Sequence, residues 1–214
     1  MLIDLHTHTS PQSEDSSLSP DELIINSRRA GLDGICFTDH DRFWDHEEVA
    51  ALGRKYDFLV LPGIEITTEE AHLLVFGLTE YVFGMHHTSF VRQLVDEAGG
   101  FIIVAHPYRR HYLLNDGPES ERYLPTLTRA CESPLYDMVD AIEVLNGRGA
   151  ENENAFSQHI ARRLNKPGVG ASDAHEVEDI GRCATHFERR VNSLRELITE
   201  LKAGRFAPVD LRKR

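Results

Sequence analysis

The segment LIDLHTHTS at residues 2–10 is a short apolar run that ends in two histidines, His6 and His8. A similar arrangement recurs in GLDGICFTDHD at residues 31–41, where His40 follows a second apolar run. Side chains at positions i and i+2 of a strand project to the same side, so His6 and His8 can bind one ion. Each segment therefore predicts a strand that ends in metal-binding side chains.

Short apolar runs alternate with helix-like stretches along the rest of the chain. Strands are predicted at residues 2–5, 34–37, 58–61, 64–67, 73–76, 101–105, 141–145 and 169–171. Helices are predicted at residues 21–30, 45–56, 88–98, 120–131, 151–164 and 192–203, with a long loop at residues 107–119. This alternation favours parallel strands joined by right-handed helical crossovers. About seven such units predict a small α/β barrel that forms a single domain over residues 1–214.

The charge balance argues against long nucleic acids as partners. The chain carries 23 Lys and Arg against 35 Asp and Glu, a net charge of −12. Bound divalent cations would reverse this sign locally, so a small phosphorylated substrate is compatible with it. The longest apolar runs, residues 58–61 and 101–105, are much shorter than the roughly 18 residues of a membrane span, so no membrane association is expected.

The N-terminal residues and the cysteines predict a cytoplasmic protein. The segment MLIDLH lacks the basic and apolar regions of a cleavable export signal. The three cysteines, Cys36, Cys131 and Cys183, are odd in number and show no C-x-x-C spacing. We therefore expect neither a disulfide framework nor a cysteine-based zinc site.

Histidine and carboxylate side chains lie at or next to the ends of the predicted strands. They are His6, His8, His40, Glu65, His72, His106, Asp173 and His175. Parallel α/β folds place their active sites at the carboxyl edge of the sheet. Imidazoles with a few carboxylates suit Zn, Mn or Fe better than Ca or Mg alone. The donors are too many for one tetrahedral ion, so they predict two or three divalent transition-metal ions, with Glu65 and Asp173 able to bridge.

Five segments, in this order, resemble the PHP (polymerase and histidinol phosphatase) superfamily. They are DLHTHTS at 4–10, GLDGICFTDHD at 31–41, GIEIT at 63–67, AHP at 105–107 and GASDAH at 170–175. The later segment EDIGRCATHF at 178–187 also resembles small stand-alone members. The resemblance implies a distorted (β/α)7 barrel, a metal cluster usually of three ions, and metal-dependent phosphoesterase activity.

Carried over residue by residue, the resemblance implies three metal sites. One ion would be held by His6, His8, Glu65 and Asp173, a second by Glu65, His72 and His106, and a third by Asp15, His40 and His175. The loop at residues 10–20 is longer than the corresponding family segment, which leaves Glu14 as the alternative to Asp15. Asp4 and Asp39 are expected to orient ligands rather than to bind metal themselves.

These assignments predict a hydrolase that cleaves a small phosphate ester, a phosphomonoester or a nucleotide, with a metal-activated water. Arg109, three residues beyond His106, is predicted to bind phosphate, with Arg148 and Arg182 as weaker candidates. His175 or a metal-bound water is expected to protonate the leaving group. Three alternatives stay open: a histidinol-phosphatase-type phosphatase, hydrolysis of a non-phosphate bond such as an amide, and a catalytically silent metal-binding module that acts through protein contacts.

Overall fold

Ten strands and six α-helices form over residues 1–109 and 117–213, which a computed structural model of the chain describes. The strands are β1 (Leu2–Thr7), β2 (Gly34–Phe37), β3 (Leu59–Pro62), β4 (Ile64–Thr67), β5 (His72–Phe76), β6 (Phe101–Val104), β7 (Ala141–Asn146), β8 (Gly168–Ala171), β9 (Cys183–Phe187) and β10 (Phe206–Asp210). The helices are α1 (Pro20–Arg29), α2 (His46–Tyr56), α3 (Thr88–Ala98), α4 (Tyr123–Cys131), α5 (Glu151–Leu164) and α6 (Leu194–Lys202). None of these helices is long and apolar enough to cross a membrane.

The strands are hydrogen-bonded into two sheets of five. One has the order β10-β9-β1-β2-β3 and the other the order β4-β5-β6-β7-β8. The pairs β1-β2, β2-β3, β6-β7 and β7-β8 are parallel, whereas β4-β5, β5-β6, β1-β9 and β9-β10 are antiparallel. The predicted mixed α/β fold is confirmed. The predicted distorted (β/α)7 barrel is not confirmed, because the strand pairing of the described residues gives two sheets that are not closed into a barrel. The expected parallel pairing is corrected, since four of the eight strand pairs in the described residues are antiparallel.

Two local features account for this difference. Residues 68–71 connect β4 to β5 and are too few for a helical crossover, so β5 turns back antiparallel. The sequence prediction also contains neither β9 nor β10, and β9 pairs with β1 in the antiparallel sense. Pro208 lies within β10, which stands at the edge of its sheet, where a residue without an N–H is tolerated.

The two sheets nevertheless meet on both flanks at one end of the molecule. An isolated bridge joins His40, after β2, to Glu65 of β4, and the N–H of Asp41 donates to the carbonyl of Glu65 at 2.9 Å. On the other flank a bridge joins Thr7 to Ala174. Segments that carry the candidate metal-binding side chains are therefore held together by the backbone itself.

Apolar side chains fill the space between the sheets and beneath the helices. The interior group includes Ile3, Leu5, Leu74, Ile103 and Val169, all fully buried. A second group packs α3, α4 and α5 against one sheet, and a third packs α1 and α2 against the other. Each fully buried large aliphatic side chain contributes about 1.5–3 kcal/mol, so the core fixes the strand ends firmly.

Most predicted helices form close to their predicted bounds. At α1, the Ser19 hydroxyl accepts from the Glu22 N–H and the Glu22 carboxylate accepts from the Ser19 N–H, which completes a capping box. The predicted helix at residues 120–131 begins instead at Tyr123. Of the predicted loop at residues 107–119, residues 110–116 lie outside the described part of the chain.

Candidate metal centre

The predicted metal-binding residues converge where the two sheets meet. His6 lies in β1 and His8 directly after it, His40 follows β2, Glu65 lies in β4, His106 follows β6, and Asp173 and His175 follow β8. Because β5 runs opposite to β4 and β6, its first residue, His72, lies at this same end. The short separation between Glu65 and His72 in sequence is therefore the consequence of one tight hairpin.

Glu65 is fully buried, and five imidazoles surround its carboxylate. Its Oε2 lies 3.1 Å from His6 Nε2, 3.2 Å from His8 Nε2 and 3.1 Å from His40 Nδ1. Its Oε1 lies 2.9 Å from His72 Nδ1 and 3.1 Å from His106 Nε2. Each oxygen faces its own set of imidazoles, which is the arrangement that a carboxylate bridging two ions requires.

Four buried donor atoms of this cluster make no hydrogen bond within the described residues. They are His6 Nε2, His8 Nε2, Glu65 Oε2 and Asp173 Oδ1. Each imidazole among them lies between 3.1 and 3.4 Å from each carboxylate oxygen, without hydrogen-bond alignment. A buried polar atom without a partner costs about 1–3 kcal/mol, and a cation placed among these four would satisfy all of them. Two imidazoles and two carboxylates fit a divalent transition ion.

A hydrogen bond behind the ring fixes the nitrogen that His6 presents to the cluster. Glu143 Oε1 accepts from His6 Nδ1 at 3.0 Å, so Nε2 faces Glu65 and Asp173. Metal-binding histidines ordinarily donate their second ring N–H to a carboxylate or carbonyl in this way. The Glu143 contact is therefore what a metal ligand at His6 needs.

Ser13 orients His8 by the same principle. Its hydroxyl donates to Asp39 Oδ1 at 2.7 Å, so its oxygen accepts from His8 Nδ1 at 3.2 Å and from the backbone N–H of His40 at 3.1 Å. Asp39 also accepts from Thr9 N–H at 2.6 Å, from the Thr9 hydroxyl at 2.8 Å and from Trp44 Nε1 at 2.7 Å. Both carboxylate oxygens of Asp39 are thus engaged in holding the loop and Ser13.

Asp15, His40 and His175 meet at the rim of the cluster. Asp15 Oδ2 lies 2.9 Å from His175 Nε2 and 3.5 Å from His40 Nε2. The backbone carbonyl of Asp173 can only accept, so His175 Nδ1 donates to it at 2.8 Å and Nε2 turns a lone pair towards Asp15. A cation bound by both atoms would relieve the repulsion between these two lone pairs. Glu14 forms no ion pair with either histidine in the described residues.

The cluster as a whole contains four overlapping groups of possible ligands. In each group one donor atom per residue lies within 4.8 Å of the others. The groups are His6, His8 and Glu65; His6, His106 and Asp173; His40, Glu65 and His72; and His8, His40 and His175. The structure therefore brings all nine sequence-predicted metal ligands, Asp15 included, into one constellation.

Burial and charge act in opposite directions on these groups. Burial works to lower the pKa of His6, but the negative charges of Glu65 and Glu143 outweigh it and raise that pKa to about 10. At His8 burial dominates and lowers the pKa to about 3. Although burial opposes it, neighbouring His6 holds the pKa of Glu65 well below its usual range. The site keeps its central carboxylate ionised and attracts positive charge.

Of the three candidate phosphate-binding arginines, Arg109 reaches the cluster. Its Nη1 donates to Asp173 Oδ2. The other two arginines face Asp179 instead. Arg148 Nε lies 3.8 Å from Asp179 Oδ2, and Arg182 Nη1 lies 3.0 Å from Asp179 Oδ1. The geometry therefore favours Arg109 among the arginines that the sequence analysis selected.

The backbone is strained at two of the candidate ligands. His106 has φ 25° and Asp173 has φ 56°, in the left-handed region that non-glycine residues rarely adopt. Such strain costs of order 1–3 kcal/mol and persists where the surroundings impose it, commonly at functional sites. The surrounding structure therefore holds both side chains in place despite the free energy that this backbone conformation costs.

Sequence reasoning missed three residues that support the cluster: Ser13, Glu143 and Asn146. Besides binding His6, Glu143 accepts from the backbone N–H of His106 at 2.6 Å. Asn146 Nδ2 donates to Glu143 Oε2 at 3.0 Å and to Asp173 Oδ2 at 3.2 Å. The sequence signal that could have identified Glu143 is its position inside the apolar run AIEVLN at residues 141–146. A buried charge without a partner is costly, so a carboxylate there indicates a specific partner.

Replacing Ser13 by alanine is expected to weaken metal binding by about 10–100-fold, because His8 loses the acceptor that orients its ring. Metal titration of the chelated protein measures this effect. Ser17→Ala is the matched control, since its hydroxyl lies in the same loop and donates to the His175 carbonyl at 3.3 Å. Equal metal affinities in the two variants would show that Ser13 does not orient a ligand.

Two family models and one relative match this chain. The PHP domain family model matches residues 4–144, and the PHP-associated model matches residues 151–206. An uncharacterized protein of Methanocaldococcus jannaschii is 26% identical over 176 residues, which cover 78% of this chain and 91% of that protein.

Solved structures share the fold at lower sequence identity. One from Bifidobacterium adolescentis, described as a candidate metal-dependent phosphoesterase, is 17% identical, with a TM-score of 0.60 over 99% of this chain and 98% of its own. An amidohydrolase from Chromobacterium violaceum, with bound sulfate and no metal, is 18% identical, with a TM-score of 0.58 over 98% of both chains. At these identities the likeness concerns the fold.

Proposed function

Because the chain belongs to the PHP domain family, we propose that it is a metal-dependent phosphoesterase that hydrolyses a small phosphomonoester or nucleotide. The observation that carries this proposal is the convergence of four buried, unpaired donor atoms, from His6, His8, Glu65 and Asp173, upon one point. Further support comes from the five imidazoles around the ionised Glu65 carboxylate. Such a donor set serves divalent transition ions such as Zn, Mn or Fe.

We assign the nine ligands to three ions. His6, His8, Glu65 and Asp173 would hold the first, Glu65, His72 and His106 the second, and Asp15, His40 and His175 the third. Bound ions of this kind acidify a water for attack and offset the charge that develops on phosphoryl oxygens. These ligands come from positions 6 to 175, so we treat residues 1–214 as one domain.

The chain's own residues would set the geometry of the reaction. Glu65 keeps its negative charge at the centre, and Glu143 and Ser13 hold His6 and His8 in fixed orientations. Arg109, whose guanidinium already reaches Asp173, would bind a substrate phosphoryl group through its planar fork of donors.

His175 serves better as a ligand than as a proton donor. Burial and the charge of Arg148 lower its pKa to about 4, so its imidazole is neutral near pH 7. Its Nδ1 donates a hydrogen bond to the carbonyl of Asp173, and its Nε2 lies 2.9 Å from Asp15 Oδ2. Both features favour metal binding over protonation of a leaving group.

The third ion depends on the carboxylate of Asp15. Asp15→Ala is expected to lose one ion per chain and to keep the others, because removing its charge leaves only His40 and His175 at the rim. Elemental analysis of the loaded protein measures the stoichiometry. Glu14→Ala, which removes the adjacent carboxylate, should retain every ion. Loss of an ion from Glu14→Ala but not from Asp15→Ala would identify Glu14 as the ligand.

The substrate class is tested with the metal-loaded protein on a panel of compounds. The panel includes p-nitrophenyl phosphate, nucleoside monophosphates, histidinol phosphate and simple amides. We expect release of inorganic phosphate from at least one small ester, and none from the same protein after chelation. Histidinol phosphate as the preferred substrate would identify the histidinol-phosphatase alternative, and cleavage confined to amides would overturn the proposal. Failure to cleave any member at saturating metal would favour a silent metal-binding module.

A further inference from the structure

We propose that Glu69, His86 and His87 form a separate surface site for a single transition-metal ion, with Zn²⁺ as an ion that this ligand set fits. Their donor atoms all lie within 4.8 Å of one another, and none of the three belongs to the buried cluster. This inference does not depend on the proposed phosphoesterase activity.

The three side chains come from two segments that lie side by side. Glu69 occupies the turn between β4 and β5, and His86 and His87 end the loop that precedes α3. His87 Nδ1 lies 3.1 Å from Glu69 Oε2, and the ring centroids of His86 and His87 are 4.0 Å apart. One donor atom from each of the three side chains therefore already lies within 4.8 Å of the other two.

Backbone and side-chain hydrogen bonds hold the two segments in this register. The N–H of Glu69 donates to the carbonyl of His86 at 2.9 Å. The Thr88 hydroxyl donates to Glu70 Oε2 at 2.6 Å and lies 2.9 Å from the Thr68 hydroxyl. Binding an ion would therefore require little reorganisation of the chain, which favours affinity.

Two imidazoles and one carboxylate are a ligand set that Zn²⁺ takes in proteins, with water in the fourth position. The side chains of His87 and Glu69 are 50% and 60% exposed, so water has free access to that position. Because of the same exposure, water competes with these side chains for the ion, so we expect weaker binding than in the buried cluster.

An ion at this site would fasten the β4–β5 turn to the start of α3. This turn joins the strand that carries Glu65 to the strand that begins at His72, and both residues are candidate ligands of the buried cluster. The surface ion would thus restrain the hairpin on which the centre of the cluster is built.

The test is equilibrium dialysis of the intact protein against buffers of increasing free Zn²⁺, with bound zinc counted per chain. The wild-type protein should show one binding step more than His86→Ala and His87→Ala, at a higher free Zn²⁺ concentration than the earlier steps. Glu69→Gln should shift this last step by at least about tenfold in free Zn²⁺. Because all three side chains are on the surface, the metal-free variants should have the same melting temperature as the metal-free wild type.

His186→Ala is the matched control, since His186 is exposed and belongs to none of the metal-binding groups found in the described residues. It should bind zinc as the wild type does. The proposal is overturned if the last step is the same in His86→Ala, His87→Ala and the wild type. Equal loss of bound zinc in His186→Ala would also overturn it, because binding would then be non-specific.

Discussion

Replacing Glu65 by glutamine is expected to reduce phosphate-ester hydrolysis by more than about 100-fold and to release metal ions from both sides of the cluster. The effect should exceed the 10–100-fold typical of residues that only orient ligands, because both oxygens of Glu65 contact imidazoles. Glutamine has nearly the same shape but no charge, and its amide would direct N–H groups at atoms that need a cation. Activity and metal content are measured on the same preparation.

His106→Ala is the companion variant, because His106 contacts only one oxygen of Glu65. It should lose less metal than Glu65→Gln while its activity also falls by at least about 10-fold. Near-normal turnover at saturating metal in Glu65→Gln would rule out Glu65 as the bridging ligand.

Removal of metal is expected to lower the melting temperature by about 10 °C or more. An ion that binds only the folded chain stabilises it by about 2.7 kcal/mol when its free concentration is 100 times Kd. For a chain of this size, each kcal/mol corresponds to roughly 2–4 °C, and we expect at least two ions to contribute. Chelation also leaves the four unpaired buried atoms of the cluster without a cation.

Thermal melts before and after chelation, and again after addition of Zn²⁺ or Mn²⁺, measure this shift. Glu65→Gln should show only a small response to chelation, since it binds fewer ions. If the chelated and loaded wild-type proteins melt within about a degree of each other, the cluster does not bind metal tightly.

The strand ends and most residues of the candidate site could be predicted because their signals are local. His6 and His8 share a face through simple strand alternation, and His40 follows its own apolar run. Capping residues such as Ser19 likewise mark the start of a helix within a few positions. The sequence therefore predicted which residues could meet, and the structure places them together.

The division into two sheets could not be predicted from such signals. The turn at residues 68–71 contains neither Gly nor Pro, so its sequence does not indicate a hairpin rather than a helical crossover. β10 contains Pro208, which ordinarily counts against a strand. Both features depend on pairing partners that lie elsewhere in the chain.

The choice between Asp15 and Glu14 is also a matter of tertiary contacts. The two residues are adjacent and chemically alike, and only the course of the loop decides which one faces His175. The loop is held by Ser17, whose backbone N–H donates to the carbonyl of His175 at 3.0 Å. Glu143 was missed for a similar reason, since its partners His6 and His106 are far away in sequence.

The central claim, that the buried cluster around Glu65 is a metal centre, is tested most directly by elemental analysis of protein purified without chelator. We expect two or three transition-metal ions per chain in the wild type, and fewer in Glu65→Gln, with the missing ions not restored by reconstitution. Less than one ion per wild-type chain, with no uptake when Zn²⁺, Mn²⁺ or Fe²⁺ is added, would contradict the claim.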